Sequence, residues 1–301
     1  MKTLLIINPV AHRGRIMKEM PQVTARLKQL GVAFEVQQTE APNHAIQLAR
    51  DAAKQGYARV VAVGGDGTCN EVVNGLLLAA QAGHEAMLGV IPLGSGNDLA
   101  CALRIPTDIT GACQILQTGT RRVIDAARVT VDGQSRFFAN SIGLGLEAEV
   151  TIFSRQVKLL HGFPMYLWSA LNVIMRGRWP YQMELGFDGQ ATQLQMVTLM
   201  AIANGVRSGG GFYLTPNAKL DDGLLDVCYG GTRSRLTLLN LLPRALQGKH
   251  VTHPVVRLRQ VTQIELRVAV GLPAHVDGEV LCTHGREFKF EVLPGALAVW
   301  A

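Results

Sequence analysis

The sequence predicts two domains: an α/β domain with a mainly parallel sheet, then a second, β-rich, antiparallel, sandwich-like domain. Three observations carry this. The first third alternates short apolar runs with longer helical patterns, the rhythm of βαβ units. After Val123 the pattern changes to short strands joined by hairpin signals. The 301-residue length also suits two cores better than one. The domains are set at 1–125 and 126–295, with the last strand, Ala296–Trp300, returning to complete the first as part of 296–301. Two domains imply an interdomain cleft, and the active site is expected there.

Taken in order, the first domain reads as strand Thr3–Ile7, helix Arg13–Leu30, strand Ala33–Gln38, helix His44–Gln55 and strand Arg59–Val63. Gly31 and Gly56 each stand just past a helical run, where a left-handed cap favours glycine. A further short strand, Leu88–Ile91, follows. In the second domain Asp132-Gly133 separates Val129–Val131 from Arg136–Ala139, and Asp188-Gly189 separates Met183–Phe187 from Thr192–Ala203. Both dipeptides are hairpin signals. Two leucine-rich helical insertions are expected, Glu147–Arg176 and Ser234–Gln247.

Composition narrows the function. With 48% hydrophobic and 17% charged residues the chain is an ordinary globular protein, neither disordered nor collagen-like. The formal charge of +6 comes without a basic run or an aromatic-interleaved patch, so no nucleic-acid partner is expected. Five cysteines with no C-x-x-C pair argue against a disulfide framework and against zinc, and a reducing cytoplasm fits them. Asn8-Pro9 cuts the first apolar run short of a secretory signal, and Leu159–Met175, interrupted by His161, Gly162, Pro164 and Asn172, is short of a membrane span.

The chemistry concentrates in loops. Strand Arg59–Val63 runs into Gly64-Gly65-Asp66-Gly67-Thr68 and then a helix beginning near Cys69-Asn70-Glu71. Glycines let the backbone approach a ligand, and successive N–H groups at a helix start converge on phosphate oxygens. A carboxylate at Asp66 makes sense there if it meets Mg²⁺ or orients the nest. A second loop, Pro92-Leu93-Gly94-Ser95-Gly96-Asn97-Asp98, again follows a strand and opens a helix. In an open parallel sheet both loops lie at the carboxyl ends of strands, where ligands bind. Taken alone, either is also an ordinary glycine-rich turn.

These two segments, with Asn8-Pro9, Thr215-Pro216-Asn217-Ala218, Asp221-Asp222-Gly223-Leu224-Leu225 and Val276-Asp277-Gly278-Glu279, resemble the diacylglycerol-kinase catalytic-domain family, in particular its bacterial YegS-like lipid kinases. The motifs span nearly the whole length in the family's order. The resemblance implies ATP as co-substrate, bound by Thr39, the run Gly65, Asp66, Gly67, Thr68, Cys69, Asn70 and Glu71, and Ser95. It implies a metal, Mg²⁺ or Ca²⁺, on the Lys219 carbonyl, the Asp222 carboxylate and the Leu224 carbonyl, and a proton acceptor in the motif Asp277-Gly278-Glu279. Outside the family context Asp221-Asp222-Gly223 reads as a turn, Asp277-Gly278 as a hairpin tip and Thr39 as a cap.

A lipid alcohol is a weak nucleophile and gains from a carboxylate within hydrogen-bond reach, while phosphoryl transfer otherwise needs positioning and charge neutralisation. Asp277 and Glu279 are expected on one side of a strand-like loop, with Glu279 favoured as the base for its reach. No P-loop segment and no protein-kinase motif set is present. The expected activity is transfer of the γ-phosphate of ATP to a hydroxyl of a diacylglycerol-like glycerolipid. The rivals are an NAD kinase-like phosphotransferase and a non-catalytic nucleotide- or lipid-binding regulator. Phe163, Met165, Tyr166, Leu167 and Trp168, followed by Arg176 and Arg178, form either a face for peripheral contact with an anionic membrane, at its cytoplasmic side, or a core helix with a basic end.

Overall fold

Strands β1 (Thr3–Ile7) and β3 (Arg59–Gly64) are buried along their whole length, and β4 (Met87–Pro92) in all but its first residue. Such unbroken apolar runs suit a parallel sheet covered on both faces. The computed structural model describes residues 1–301 except Lys158, His161 and Arg178, and except the side chains of His12 and Arg13. His161 and Arg178, noted above on the membrane-like stretch, therefore lie outside the described residues. The chain separates into two compact units, residues 1–124 with 295–301, and residues 125–294.

In the first unit β2 (Glu35–Gln38), β1, β3 and β4 pair in that order, all parallel, and the end of β14 (Glu279–Trp300) joins β4 in parallel through Val299 and Leu88. Helix α1 (Ile16–Gln29) buries Ile16, Met20, Val23 and Leu27, one face at helical spacing. Helix α2 (His44–Lys54) buries Ala45, Ala49, Ala52 and Ala53. Those small side chains let α3 (Asp66–Gln81) come close: a Cβ on Gly75 would stand 2.4 Å from the Ile46 carbonyl and 2.7 Å from Ala49 Cβ. Helices α4 (Asp98–Ala102) and α5 (Ile109–Thr118) complete the unit, α5 capped by Asp108, whose carboxylate accepts from Gly111 N at 2.8 Å. Gly31 and Gly56 end α1 and α2 with φ of 68° and 76°, the left-handed caps their positions predict.

The second unit is antiparallel. Strands β12 (Val256–Val261), β11 (Leu225–Gly230), β10 (Leu199–Ala203), β7 (Ser141–Gly145), β13 (Gln263–Val276) and β14 neighbour one another in that order. Two hairpins flank them, β5 (Arg121–Val131) with β6 (Gln134–Phe138), and β8 (Tyr181–Phe187) with β9 (Gln193–Val197). Phe138, Ile142, Leu185, Ile202, Leu266 and Phe288 belong to their shared core. Asp132 and Gly133 take φ of 47° and 87°, and Asp188 and Gly189 take 50° and 72°, the mirror-image turn that matches strand twist.

Two expectations change. The single insertion Glu147–Arg176 is two helices, α6 (Leu146–Ser154) and α7 (Phe163–Arg176), because Gly162 with φ of 60° and Pro164 at the start of α7 open a new helix. The run Thr192–Ala203 is two strands broken at Thr198, whose N–H donates to Gly230, whose carbonyl accepts from Leu146 and whose hydroxyl donates to Thr232. With α8 (Arg235–Ala245), α6 and α7 enclose a smaller apolar cluster that includes Val150, Ala170, Ile174 and Leu238. Helix α7 thus packs one face inward while Trp168 and Met175 remain exposed. Among the described residues no helix is long and apolar enough to cross a membrane.

Candidate active site

In the first unit β1 sends the chain to β2 on one side while β3 and β4 lie on the other, so the strand order reverses between β1 and β3. Ligands of open α/β sheets bind outside the carboxyl ends of strands at such a reversal. Asn8-Pro9 follows β1 there, and Thr39 is drawn in by its N–H donating to the Ile7 carbonyl at 2.9 Å. Both glycine loops open at the same edge, since Gly64 pairs in register with Pro92.

The loops touch through their backbones. A Cβ on Gly94 would fall 2.2 Å from Gly65 Cα, and one on Gly65 would fall 3.1 Å from Gly94 Cα, so glycine is required where they meet. Asp66 then ties them: its Oδ1 accepts from Asp98 N at 2.7 Å and Leu99 N at 3.4 Å, the first turn of α4. Asn97, left-handed at φ 55°, accepts from Gly94 N at 2.9 Å and donates to the Gly94 carbonyl at 3.0 Å. Gly65 caps α3, and the first N–H groups of a helix have no intrahelical acceptor and favour anions.

The other nucleotide-site candidates divide by exposure. Ser95 is exposed at the loop tip, and Gly65 and Gly67 are half-buried. Thr68, Cys69 and Asn70 have buried side chains. Asn70 accepts from Asn74, one helical turn on, through its carbonyl at 2.8 Å. Glu71 faces α2, its two oxygens accepting from Asn43 N at 3.0 Å and Ala45 N at 3.1 Å. A carboxylate at a helix start satisfies orphan donors and meets the positive end of the dipole. Glu71 and Gly75 are one turn apart, so a single face of α3 sets the position of α2.

In the second unit Asp277 and Gly278 form the turn between β13 and β14, with φ of 45° and 80°. Asp277 is buried, and its Oδ1 accepts from Ser141 N at 2.8 Å while its own N–H donates to the Ser141 carbonyl at 2.9 Å. Glu279 is exposed and pairs with Arg155 at 2.5 Å. The strand-like loop expected at sequence level is a tight hairpin turn, and the two carboxylates take separate partners. The left-handed backbone at residues 277 and 278 breaks the alternation that the one-sided arrangement assumed.

The turn holding Lys219, Asp222 and Leu224 is shaped by Gly223, with φ of 74° and its N–H donating to Asp125 Oδ2 at 2.7 Å. Asp222 Oδ1 accepts from Leu224 N at 3.2 Å. Burial raises the pKa of Asp226, and the charge of Asp222 adds to that rise. The Lys219 ammonium offsets part of this charge, and oxygen donors beside two carboxylates are the ligand type that a hard cation such as Mg²⁺ or Ca²⁺ takes. No group of three or more His, Cys, Asp or Glu side chains placed to hold a metal occurs among the described residues, so a cation here would rest on carbonyls and water as well as Asp222. Sequence reasoning missed Asn97 and Ser141 as braces and Asp125 beside the turn. Asn97 stood inside a quoted motif, whereas Asp125 and Ser141 carry no local signal.

A parallel α/β unit with coupled glycine loops, followed by an antiparallel β-rich unit, defines a two-unit α/β-plus-β class of protein. Residues 2–129 match the diacylglycerol kinase catalytic domain, and residues 140–301 match the YegS C-terminal NAD kinase beta sandwich-like domain. A protein of Chromohalobacter salexigens named "Probable lipid kinase YegS-like" is 33% identical over 99% of this chain and 93% of its own length. A diacylglycerol kinase of Bacillus subtilis is 31% identical over 91% of this chain and 88% of its own. The crystal structure of a diacylglycerol kinase from Bacillus anthracis superposes with a TM-score of 0.74 at 20% identity, covering 99% of this chain and 96% of the other. The chain belongs to the YegS-like lipid kinase and diacylglycerol kinase family, and it is an enzyme, a transferase of the kinase type.

Proposed function

We propose that this enzyme transfers the γ-phosphate of ATP to a hydroxyl of a diacylglycerol-like glycerolipid. The carrying observation is the pair of glycine loops joined by Asp66 at the strand-order reversal. In this reading Gly65, Gly67 and Thr68 present backbone N–H groups to the phosphates, Ser95 adds a hydroxyl, and Thr39 bounds the nucleotide from the end of β2. Asp66 and Glu71 act by holding α4 and α2 in place, and Cys69 and Asn70 by packing the start of α3. Mg²⁺ bound with ATP supplies charge neutralisation. A second cation, Mg²⁺ or Ca²⁺, rests on Lys219, Asp222 and Leu224. The proton acceptor belongs to the hairpin of Asp277 and Glu279, within reach of a lipid hydroxyl.

The names of the curated relatives support a lipid acceptor. The C-terminal match, described as NAD kinase-like, is what favours the alternative acceptor, a ribose hydroxyl. Exposed Trp168, Met175 and Leu236, beside Arg176, Arg233 and Arg235 in the chain, support peripheral contact with an anionic membrane. The test is transfer of labelled γ-phosphate into a fractionated lipid extract and into NAD, side by side, with and without Mg²⁺. Label in lipid alone is expected; label in NAD alone would overturn the lipid reading.

A further inference from the structure

Within the second unit β12 ends the run of antiparallel strands, and a groove of about 380 Å³, open mouth included, separates it from the β8–β9 hairpin. In the β11–β12 register Arg257 stands opposite Tyr229 and Arg259 opposite Val227, so both arginines leave the face that carries Tyr229. Tyr229 packs on Phe187 with ring centroids 5.9 Å apart, and the Arg259 guanidinium lies 4.9 Å from the Phe187 ring centre. On the opposite wall Gln195 pairs with Met183 and Gln193 with Leu185, both core residues. The two amides therefore point to the core side of β9, while Leu194 and Met196 face outward at 59% and 46% exposure.

A half-buried antiparallel strand turns its apolar residues inward, and β9 does the reverse. Charges on an edge strand keep other strands from pairing there, which accounts for the arginines but not for the amides. Among the described residues the side chains of Arg257, Gln193 and Gln195 and the Tyr229 hydroxyl have no hydrogen bond or ion pair, and Arg259 has only its ring contact. Tyr229 is nevertheless 3% exposed, and its hydroxyl is not among the buried polar atoms sealed from solvent. No carboxylate lines the groove. Two positive charges, two amides and a hydroxyl thus line one groove with no negative charge of the protein's own to meet them. Such local departures from the pattern of a fold concentrate at functional sites.

We propose that this groove binds a phosphate-class oxyanion, free or as the headgroup of an anionic lipid, through Arg257, Arg259, Gln193, Gln195 and Tyr229. None of these residues belongs to the nucleotide, cation or proton-acceptor sets, so the proposal stands apart from the lipid-kinase reading. Guanidinium forks match carboxylate and phosphate alike. A carboxylate has two oxygens, which one fork fills. Two forks on one wall, two amides on the other and a hydroxyl on the floor suit a tetrahedral anion, whose oxygens point several ways at once. Both arginines are exposed, so the attraction is screened by salt.

Phenylglyoxal modifies accessible arginines, and mass spectrometry of the resulting peptides reads each guanidinium separately, so the groove is distinguished from the glycine loops. The full chain is labelled at low salt with inorganic phosphate, with dihexanoylphosphatidic acid kept below micelle formation, or with chloride at equal ionic strength. At ~10 times its Kd a bound ligand should slow labelling of Arg257 and Arg259 by roughly tenfold. The internal reference is Arg286, which is exposed and does not line the groove. Protection by inorganic phosphate assigns the free ion, and protection that requires phosphatidic acid assigns the lipid headgroup; either supports the site. Equal labelling in all three solutions overturns it. The double variant Gln193→Leu with Gln195→Leu removes both amides and should lose most of the protection, with circular dichroism confirming its fold. Full protection in that folded variant overturns the groove as a built site and leaves the arginines as the guard of an edge strand.

Discussion

Asp66 reaches from the first turn of α3 to the first turn of α4, its Oδ1 accepting from the Asp98 amide at 2.7 Å. The carboxylate at the centre of the first glycine loop is therefore a brace for the second. Its removal leaves the Asp98 and Leu99 amides without that acceptor, a loss of about 1 kcal/mol in stability, and frees Ser95 from its position. We predict that Asp66→Ala lowers turnover by ~10²-fold, as loss of electrostatic preorganisation does. Asp66→Asn keeps a carbonyl acceptor and should recover most of the activity in the labelled-phosphate assay. An asparagine variant as inactive as the alanine one would show that the charge itself is needed.

The hairpin carboxylates have different surroundings and so should fail differently. Glu279→Gln is expected to lower kcat by roughly 10²–10⁴-fold with little change in stability, since its ion pair with Arg155 is exposed and such pairs contribute ~1 kcal/mol or less. Asp277→Ala removes the acceptor of a buried amide, Ser141 N, and should cost about 1–3 kcal/mol in denaturant unfolding. If Asp277→Asn alone loses turnover while Glu279→Gln stays active, the base is Asp277.

At the acidic turn, Mg²⁺ or Ca²⁺ should raise Tm in wild-type protein by binding only the folded state. Asp222→Ala should remove that rise. Crystals soaked in Mn²⁺ that give no anomalous peak beside Asp222 would count against the site.

Burial lowers the pKa of His250, whose ring lies against the Leu214 carbonyl at 3.1 Å and Cys228 Sγ at 3.5 Å. The folded chain then refuses a proton that the unfolded chain takes up below pH ~6.5. This contribution is complete above that pH and is lost as pH falls through it, by at most ~1.4 kcal/mol per pH unit. His250→Gln should flatten that part of a stability profile measured from pH ~7.5 to ~5. A wild-type profile already flat across this window would refute the assignment.

Membrane association should be peripheral and weakened by salt, because basic residues flank a limited apolar face. Sedimentation with liposomes of neutral or anionic lipid, across a salt series, measures it. Binding that ignores both lipid charge and salt would remove the electrostatic part.

Local pattern alone marked what short stretches of chain can encode. Apolar runs ending in Gly64-Gly65 and Leu93-Gly94 placed two loops at strand ends, and Gly31, Gly56, Asp132-Gly133 and Asp188-Gly189 marked caps and turns whose positive φ the structure carries. Those features depend on the conformational preference of a few adjacent residues. What the side chains do was decided by partners far off in sequence. Asp66 meets residue 98, Glu71 meets α2 at residues 43 and 45, Asp277 meets Ser141, and Glu279 meets Arg155. No periodicity reports such pairings, because they arise only when packing brings segments distant in the chain together. Glu147 and Ser208 show this most plainly: each is unremarkable in the sequence, and only packing buries both and closes a 2.5 Å hydrogen bond between them.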